Sequence, residues 1–394
     1  MKKLILIFII LPFPLSAQLS SFSANGYVKY LFSTSKFPFV NERLNDHLIH
    51  ARLNTRWYPA EPLTAAVEVR MRSYYGDSVE KMPGFLELIK SHHEYDQLDD
   101  VLWNQKKSIG YAQVDRCWAN YSQGNVDVTF GRQRIAWGTA LVWNVIDLFN
   151  PQSILDFDYE EKPGADAMRV QYYTGAVSKV ELAVKPGKTE KRTIAAAHFS
   201  INAFEYDFHG IAGIRNDRWI FGGAWAGAIH KAGFRGEFII SKAPGPSPTI
   251  SNFSISPRSF SLFQNNKPVM SAVLSGDYTF SNSLYILTEV LFNSNGKIKN
   301  AGLFYWQALQ AGMLSPSRWS LFQEISYDIT PLLREGLFAI FNPNDKSSVI
   351  VPQFTWSIAT NLDLTLIGFF TSGKHFSEWG DFGNSVFLRV KYSF

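Results

Sequence analysis

The sequence predicts an all-β chain that closes into a transmembrane, antiparallel β-barrel of about 18 strands. Three observations predict it. Apolar and polar side chains alternate with a period of two, tight turns alternate with wide loops, and the chain closes on an alternating strand that ends at Phe394. Aromatic residues make up 15% of the chain. A single architecture that shows apolar side chains on its outside explains this composition better than several soluble domains.

The alternation is clear in the segments 47–58 and 63–74. In the first, every second residue from Ile49 to Trp57 is apolar or threonine, and the residues between them are polar. Because successive side chains of a strand point to opposite faces, each segment has one apolar and one charged face. A single strand of this kind suits a soluble sandwich as well as a barrel in lipid, where the polar face lines the lumen.

The connections distinguish these two architectures. The alternating segments are 24–33, 47–58, 63–74, 110–121, 125–137, 165–174, 177–185, 192–200, 203–214, 218–229, 232–242, 269–280, 283–293, 319–330, 335–342, 348–359, 362–372 and 384–394. Tight turns fall at 59–62, 123–124, 174–176, 281–282 and 360–361, and wide loops at 34–46, 75–109, 138–164, 243–268, 294–318 and 373–383. Strict alternation of this kind predicts short periplasmic turns and long extracellular loops. Since open sheet edges leave backbone groups unpaired in lipid, the sheet is expected to close.

The first residues have the layout of a secretory signal. Lys2 and Lys3 precede the apolar run 4–11, and the small residues around Ala17 suit a cleavage site. The apolar run is shorter than the roughly 20 residues that an anchoring helix needs. We therefore expect a signal peptide at 1–17 and a single barrel domain at 18–394. The formal net charge is only +4, so basic and acidic residues are nearly balanced. This argues against a nucleic-acid partner, because a protein that binds nucleic acid needs a concentrated basic face.

The last strand alternates Val386, Leu388, Val390, Tyr392 and Phe394 with more polar residues. A terminal strand of this composition that closes on phenylalanine resembles the insertion signal of Gram-negative outer-membrane proteins. The resemblance implies outer-membrane lipid as the surroundings and the barrel-insertion machinery as a partner of this strand. No residue pattern identifies a subunit interface, so association into a homo-oligomer is left open.

With the apolar faces turned outward, the predicted lumen has two walls of different charge. The predicted pore-lining residues on the basic side are Lys29, Arg52, Arg56, Arg70, Arg72, Arg132, Arg134, Arg169, Arg389 and Lys391. Those on the acidic side are Glu205, Asp207, Asp277, Glu289, Glu324 and Asp328. Opposed charges of this kind order and select charged solutes. The alternative is ordinary ion pairing that fills a closed lumen, but about 18 strands enclose too wide an interior for that.

The alternation of apolar and polar faces breaks down within the segment 125–137, because it would turn Arg132 and Arg134 toward lipid. A bulge at Gly131 would return both to the lumen. The following loop, 138–164, mixes many apolar residues with carboxylates. We expect it to fold into the lumen and to direct Asp147, Asp156 and Asp158 at the arginines; the alternative is that it packs only at the rim.

The same region carries a motif: Gly131-Arg-Gln-x-x-x-Trp-Gly138 followed by Asn144-x-x-Asp-x-x-Asn-Pro151. It resembles a feature of Gram-negative outer-membrane channel families, including porin-like proteins and the alginate-export family. The resemblance covers residues 131–151 and is only architectural elsewhere. It implies a channel with an arginine-lined pore, and it does not imply alginate as the cargo.

Enzyme chemistry finds little support in the sequence. There is no G-x-S-x-G nucleophile elbow, and His92-His93-Glu94 lacks the spacing of a zinc helix. We expect no catalytic residues, no metal and no cofactor. The sequence therefore predicts a channel for passive passage of small, charged solutes through a lumen narrowed by loop 138–164. An exporter of a polysaccharide or other polymer, a barrel enzyme and a structural or adhesive barrel remain as alternatives.

Overall fold

The computed structural model describes residues 21–90, 95, 97–150, 161, 163–188, 193–242, 268–310 and 312–394. The predicted signal peptide at 1–17 and the predicted loop carboxylates Asp156 and Asp158 lie outside these ranges. Within them the chain forms nineteen β-strands and a few short helices. No helix of the described residues is long and apolar enough to cross a membrane.

The first ten strands are β1 (Phe22–Lys36), β2 (Leu44–Ala60), β3 (Leu63–Gly76), β4 (Asp99–Gln105), β5 (Ser108–Gln123), β6 (Val126–Gln133), β7 (Ala165–Tyr173), β8 (Lys179–Lys185), β9 (Ile194–Ala203) and β10 (Tyr206–Arg215). The remaining strands are β11 (Arg218–Ile229), β12 (Ala232–Lys242), β13 (Val269–Thr279), β14 (Leu284–Asn293), β15 (Trp319–Thr330), β16 (Leu333–Asn342), β17 (Ser347–Ala359), β18 (Leu362–Ser372) and β19 (Asn384–Ser393). The short helices are α1 (Asp77–Lys81), α2 (Phe85–Ile89) and α3 (Tyr305–Gln310), the last preceded by a 3₁₀ turn at Ala301–Phe304.

Eighteen of these strands close into an antiparallel ring. Each pairs with the next along the chain, β3 pairs directly with β5, and β19 returns to pair with β1. The predicted closed barrel is thereby confirmed. Strand β4 stands outside the ring and pairs only with the first residues of β5. The sequence analysis assigned it to a loop, because seven residues beside Lys106 and Lys107 are too short and too polar to predict a membrane strand.

We call the end of the barrel that holds both 60–63 and 359–362 the turn end, and the opposite end the loop end. The described strand ends that flank the six predicted wide loops lie at the loop end. The connections 186–193, 216–217 and 343–346 lie there too and are short, so the strict alternation of turns and loops is wrong at these three. Asn216 and Asp217 have φ of 52° and 60°, which suits the two-residue turn of a tight hairpin.

The outer surface of the ring is apolar. Ile49 and Trp57 of β2 are 51% and 52% exposed, and Phe130 of β6 is 71% exposed. The alternate residues are buried even where they are charged, as with Lys29 and Arg52. An apolar outside and a polar inside reverse the arrangement of a soluble protein, and they match a barrel that is solvated by lipid.

Strand β6 ends earlier than predicted, at Gln133 instead of residue 137. The bulge predicted at Gly131 is wrong: β6 pairs in unbroken register with β5 and β7 from Val126 to Arg132. The register shift lies in β5, where Asp115 is the extra residue between the partners of Glu68 and Val69. Gly131 nevertheless has φ of 110°, a conformation that strongly favours glycine.

The ring closes beside a glycine. Gly26 of β1 exchanges backbone hydrogen bonds with Phe394, at 2.9 and 3.0 Å. A methyl group on Gly26 would collide with the carbonyl oxygen of Arg52, and it would lie 2.9 Å from the Phe394 ring. The close approach of β1, β2 and the C-terminal residue therefore requires a glycine, which has no Cβ, at position 26.

Gly26→Val is expected to weaken closure, because overpacking of a tight site costs about 1–3 kcal/mol. The folded fraction can be measured by heat-modifiable migration in gel electrophoresis after refolding in detergent. Ala24→Val, two residues away on the same face of β1, is the matched control and should refold like the parent chain. Equal folded fractions for the two variants would contradict this account of the seam.

Candidate functional site

The first part of loop 138–164, which we call the constriction loop, crosses the inside of the barrel. Glu237 of β12 is 1% exposed and accepts hydrogen bonds from the backbone N–H groups of Ala140 at 2.7 Å and Ile146 at 3.2 Å. The N–H of Thr139 donates to the same carboxylate. A loop at the rim could not reach a strand so far around the ring from β6, so the predicted folding of this loop into the lumen is observed.

A second buried carboxylate holds the tip of the loop. Glu289 of β14 is 0% exposed and accepts hydrogen bonds from the backbone N–H groups of Trp143 at 2.5 Å, Leu141 at 3.2 Å and Val142 at 3.3 Å. Glu289 was predicted as a pore-lining acid. In the structure its carboxylate is occupied by the loop backbone, so it anchors the constriction.

Asp147 also serves the loop itself. Its Oδ1 accepts hydrogen bonds from the backbone N–H groups of Trp137 and Gly138, both at 2.6 Å. That Asp147 also answers the arginines of the lumen stays a prediction. Carboxylates satisfy nearby backbone donors as readily as they pair with cations, and this choice cannot be read from the position of an aspartate in a loop.

The loop is packed as well as hydrogen-bonded. The Trp137 ring stacks on His198 of β9 with ring centroids 5.1 Å apart, and its indole N–H donates to Glu181 of β8. Trp143 meets Phe322 of β15 edge-on at 6.2 Å. Together with inward residues of β7–β18 these side chains form one buried apolar cluster. The inner faces of β1–β6, on the other side of the barrel, lie outside this cluster.

That side carries the predicted basic wall, and part of it is neutralised. The Arg52 guanidinium binds Glu68 at 2.5 Å and also binds Asp115, and its Nε lies 3.6 Å from Glu161 of the constriction loop. Arg116 binds Glu68 at 3.2 Å. Among the described loop residues, Glu161 is thus a carboxylate that reaches an arginine. The sequence analysis did not select Asp115 or Arg116, because the register shift at Asp115 hides which of the two faces inward.

Three further arginines of the predicted set line one cavity of about 390 Å³: Arg56 of β2, Arg169 of β7, and Arg134, which follows β6. None of the three has a hydrogen-bond or ion-pair partner among the described residues. Of the two described acids that line the same cavity, Glu68 is paired with Arg52 and Arg116, and Asp127 accepts a hydrogen bond from the Tyr173 hydroxyl at 2.9 Å. The cavity therefore holds an excess of positive charge.

The other predicted basic residues have partners. Lys29 and Lys391 each place their ammonium group 4.9 Å from the Tyr27 ring, one from β1 and one from β19. Arg132 binds Asp166 through both oxygens, at 2.7 and 2.9 Å. The partners of the remaining residues are Gln113 for Arg70, the Ile89 carbonyl for Arg72 and Thr365 for Arg389.

The predicted acidic wall is weaker than expected. Glu205 lies in the turn between β9 and β10 with φ of 63°, not on a strand, and it is exposed. Asp207 is exposed near the same turn, and Asp277 is paired with Arg235. Asp328 lies 3.8 Å from Arg334, and Glu324 is half-buried on β15. The sequence analysis missed Glu181 and Glu237 as anchors of the loop. The alternation of side chains along β8 and β12 places both residues on the inner face, and this could have identified them.

A polar network joins three connections at the loop end. Glu378 is 2% exposed and accepts hydrogen bonds from the hydroxyls of Ser315 at 2.7 Å and Ser317 at 2.6 Å. Its backbone N–H donates to Asp345 at 2.9 Å, and Asn342 donates to the Ser317 hydroxyl at 2.5 Å. Loops 294–318, 343–346 and 373–383 are held together through this carboxyl group.

Burial raises the pKa of Glu378 from its ordinary value of 4.5 to about 7. Because the pKa of the folded state is the higher one, the network's contribution to stability is complete below about pH 4.5 and is lost as the pH rises through about 7. Hydrogen exchange of loop 373–383, corrected for the intrinsic rate, should therefore be faster at about pH 8 than at about pH 5. Glu378→Gln should remove this pH dependence, whereas Glu42→Gln, at an exposed loop-end carboxylate, should keep it.

Glu237→Gln is expected to loosen the constriction loop, because hydrogen bonds to a charged acceptor contribute about 1.5–3 kcal/mol each. The single-channel conductance in a planar bilayer should rise and become noisier. The control is Glu324→Gln, because Glu324 is an inward carboxylate with no hydrogen bond to the described residues of the loop. A conductance that responds equally to both substitutions would argue against the anchoring role.

Solved structures with the same fold are outer-membrane proteins. The chain superposes on OccK5 (OpdH) of Pseudomonas aeruginosa with a TM-score of 0.58 and 7% identity, over 95% of this chain and 98% of that one. For OprD of Pseudomonas aeruginosa the TM-score is 0.58 and the identity 8%, over 95% of this chain and 93% of that one. For OccAB4 of Acinetobacter baumannii the TM-score is 0.56 and the identity 9%, over 96% of this chain and 99% of that one. No protein-family model matches the chain, and no curated protein matches it. The fold of this chain is thus the 18-stranded barrel that these outer-membrane proteins share.

Proposed function

We propose that the chain is an outer-membrane channel through which small anionic solutes pass by diffusion. The observation that carries the proposal is the cavity lined by Arg56, Arg134 and Arg169, whose guanidinium groups have no partner among the described residues. This cavity is lined by residues of β2–β7, and none of them belongs to the apolar cluster around the constriction loop. A narrowed, water-filled passage with an unbalanced charge selects ions of the opposite sign.

The barrel itself supports passage across a membrane. Its outer face is apolar around the ring, and its interior is polar where the constriction loop does not cover it. The proteins that share this fold are described as outer-membrane proteins, among them OprD. A ring of about 18 strands encloses more space than its own side chains fill. We infer that the loop sets the width of the passage and that the arginines set its charge.

Diffusion suits the site better than catalysis. Glu237 and Glu289 bind loop backbone, and Glu68 and Asp115 bind Arg52. Side chains engaged in this way hold structure, and they are poorly placed to exchange protons with a substrate. That residues 1–17 direct secretion, that the strand ending at Phe394 is recognised by insertion machinery, and that the barrel associates with further copies remain predictions.

The charge of the passage can be tested by the reversal potential under a salt gradient in a planar bilayer. The wild-type channel should prefer chloride over potassium. A unit charge about 4 Å from an ion in water contributes about 1 kcal/mol, so the double variant Arg56→Gln/Arg169→Gln, which removes two such charges, should lower the chloride-to-potassium permeability ratio roughly thirtyfold. The control is Arg334→Gln, because Arg334 lies on the inner face of β16, near Asp328 of β15.

A cation-preferring wild-type channel, or a double variant with an unchanged reversal potential, would refute the assignment of these arginines. Absence of any conductance would refute open diffusion. It would instead favour a barrel that opens only with a partner, as an exporter of polymers does.

A further inference from the structure

Four exposed cations lie on three neighbouring connections at the loop end, and we call them the basic rim. They are Lys299 and Arg318 of loop 294–318, Lys346 of the turn 343–346, and Lys374 of loop 373–383. None of these four side chains has a hydrogen-bond or ion-pair partner among the described residues. The basic rim therefore presents its positive charge to whatever surrounds this part of the barrel.

Backbone contacts hold the three connections side by side. The N–H of Arg318 donates to the carbonyl of Lys297 at 3.1 Å, so the two ends of the long loop lie together. The N–H of Trp319, the first residue of β15, donates to the side-chain oxygen of Asn344 at 3.2 Å. The network around Glu378 joins the third connection to the other two. The basic rim therefore follows one continuous edge of the barrel, at the ends of β14–β18.

The acids of the same connections are occupied within the loops. Loop 294–318 contains no acid, and the other two connections contain Asp345, Glu378 and Asp381. Glu378 is 2% exposed and binds serine hydroxyls. Asp345 accepts hydrogen bonds from two backbone N–H groups, at 3.0 and 2.9 Å, and Asp381 binds the His375 ring at 2.8 Å. These carboxylates hold the loops together, and the charge of the basic rim is left unbalanced by them.

The opposite part of the loop end, beside β1–β5, is built differently. The lysines of α1 and of the turn between β4 and β5 are each bound to a carboxylate. Lys81 binds Glu42 at 2.6 Å, and Lys106 and Lys107 bind Glu80 at 2.9 and 3.0 Å. Exposed lysines are thus neutralised on one part of this edge and left unpaired on the other, which singles out the basic rim.

An aromatic, lipid-facing surface adjoins the basic rim on the side of the turn end. Trp319 is 41% exposed on the outer face of β15, whereas the next residue, Ser320, is buried. The Trp319 ring lies 4.7 Å from that of Phe292 on β14, and Phe341 on β16 is 38% exposed. Aromatic residues at the end of a membrane strand lie at the level of the lipid headgroups. Because Arg318 directly precedes Trp319, the basic rim lies at the same level.

We propose that the basic rim and the aromatic surface beside it bind a phosphorylated lipid of the outer leaflet. The lipid phosphates pair with the rim, and the acyl chains pack against Trp319 and Phe292. Basic residues next to a membrane surface attract anionic headgroups. A lipid fits better than a soluble anion, because the charged and the aromatic surfaces are continuous and a soluble anion contacts only the first. The site is on the outside of the barrel, so it does not depend on the conductance proposed for the lumen.

The experiment is native mass spectrometry of the folded full chain in detergent, with lipid A that carries two phosphate groups as the probe. The wild-type chain should retain this lipid. Lipid A without its phosphates should bind at least about tenfold more weakly. Arg318→Gln/Lys346→Gln should weaken the binding of the phosphorylated lipid by about tenfold or more, and it should leave the binding of the dephosphorylated lipid unchanged. Lys106→Gln/Lys107→Gln removes two lysines from the opposite part of the loop end, and this matched control should bind like the wild type.

Inorganic pyrophosphate, added as a competitor, distinguishes a lipid site from a site for free phosphate, and it should not displace the lipid. Heat-modifiable migration establishes that each variant is folded, and the comparison of the two lipids on the wild-type chain needs no variant. Four results would overturn the proposal: equal retention of the two lipids, displacement by pyrophosphate, equal loss of binding in the control variant, or a second copy of the chain bound in place of the lipid.

Discussion

The structure depends on the pairing of one irregular segment with two carboxylates. A loop inside a barrel has no neighbouring strand to satisfy its backbone, and buried N–H groups without acceptors are costly. Glu237 and Glu289 supply these acceptors from β12 and β14, and Asp147 supplies more from within the loop. Because the anchors are fixed on the wall of the ring, they determine which part of the lumen the first half of the loop fills.

The same pairing decides the electrostatics of the passage. A carboxylate that binds loop backbone no longer faces a solute, so Glu237 and Glu289 are withdrawn from the lumen surface. On the opposite wall Arg52 forms ion pairs with Glu68 and Asp115. Arg56, Arg134 and Arg169 on that wall have no hydrogen-bond or ion-pair partner among the described residues. A nearly even composition therefore yields an uneven lumen, because structural pairing removes more acids than bases.

The barrel could be predicted from sequence because its rule is local: side chains alternate along each strand, and lipid requires one apolar face. The folding of the loop could be predicted from its apolar content. Its anchors could not, because Glu237 and Glu289 lie about a hundred residues or more from the N–H groups that they bind. Glu205 was misplaced because extending the strand pattern by two residues turned a hairpin turn into a strand. Arg134 falls beyond the end of β6, where parity no longer indicates direction.

Val145 links the two halves of the lumen. It belongs to the constriction loop, and it also lines a cavity at the loop end, together with Arg215 and Arg218. Ile146, the next residue, is bound to Glu237. The constriction loop is therefore held by Glu237 on one side, and it closes the loop-end cavity on the other.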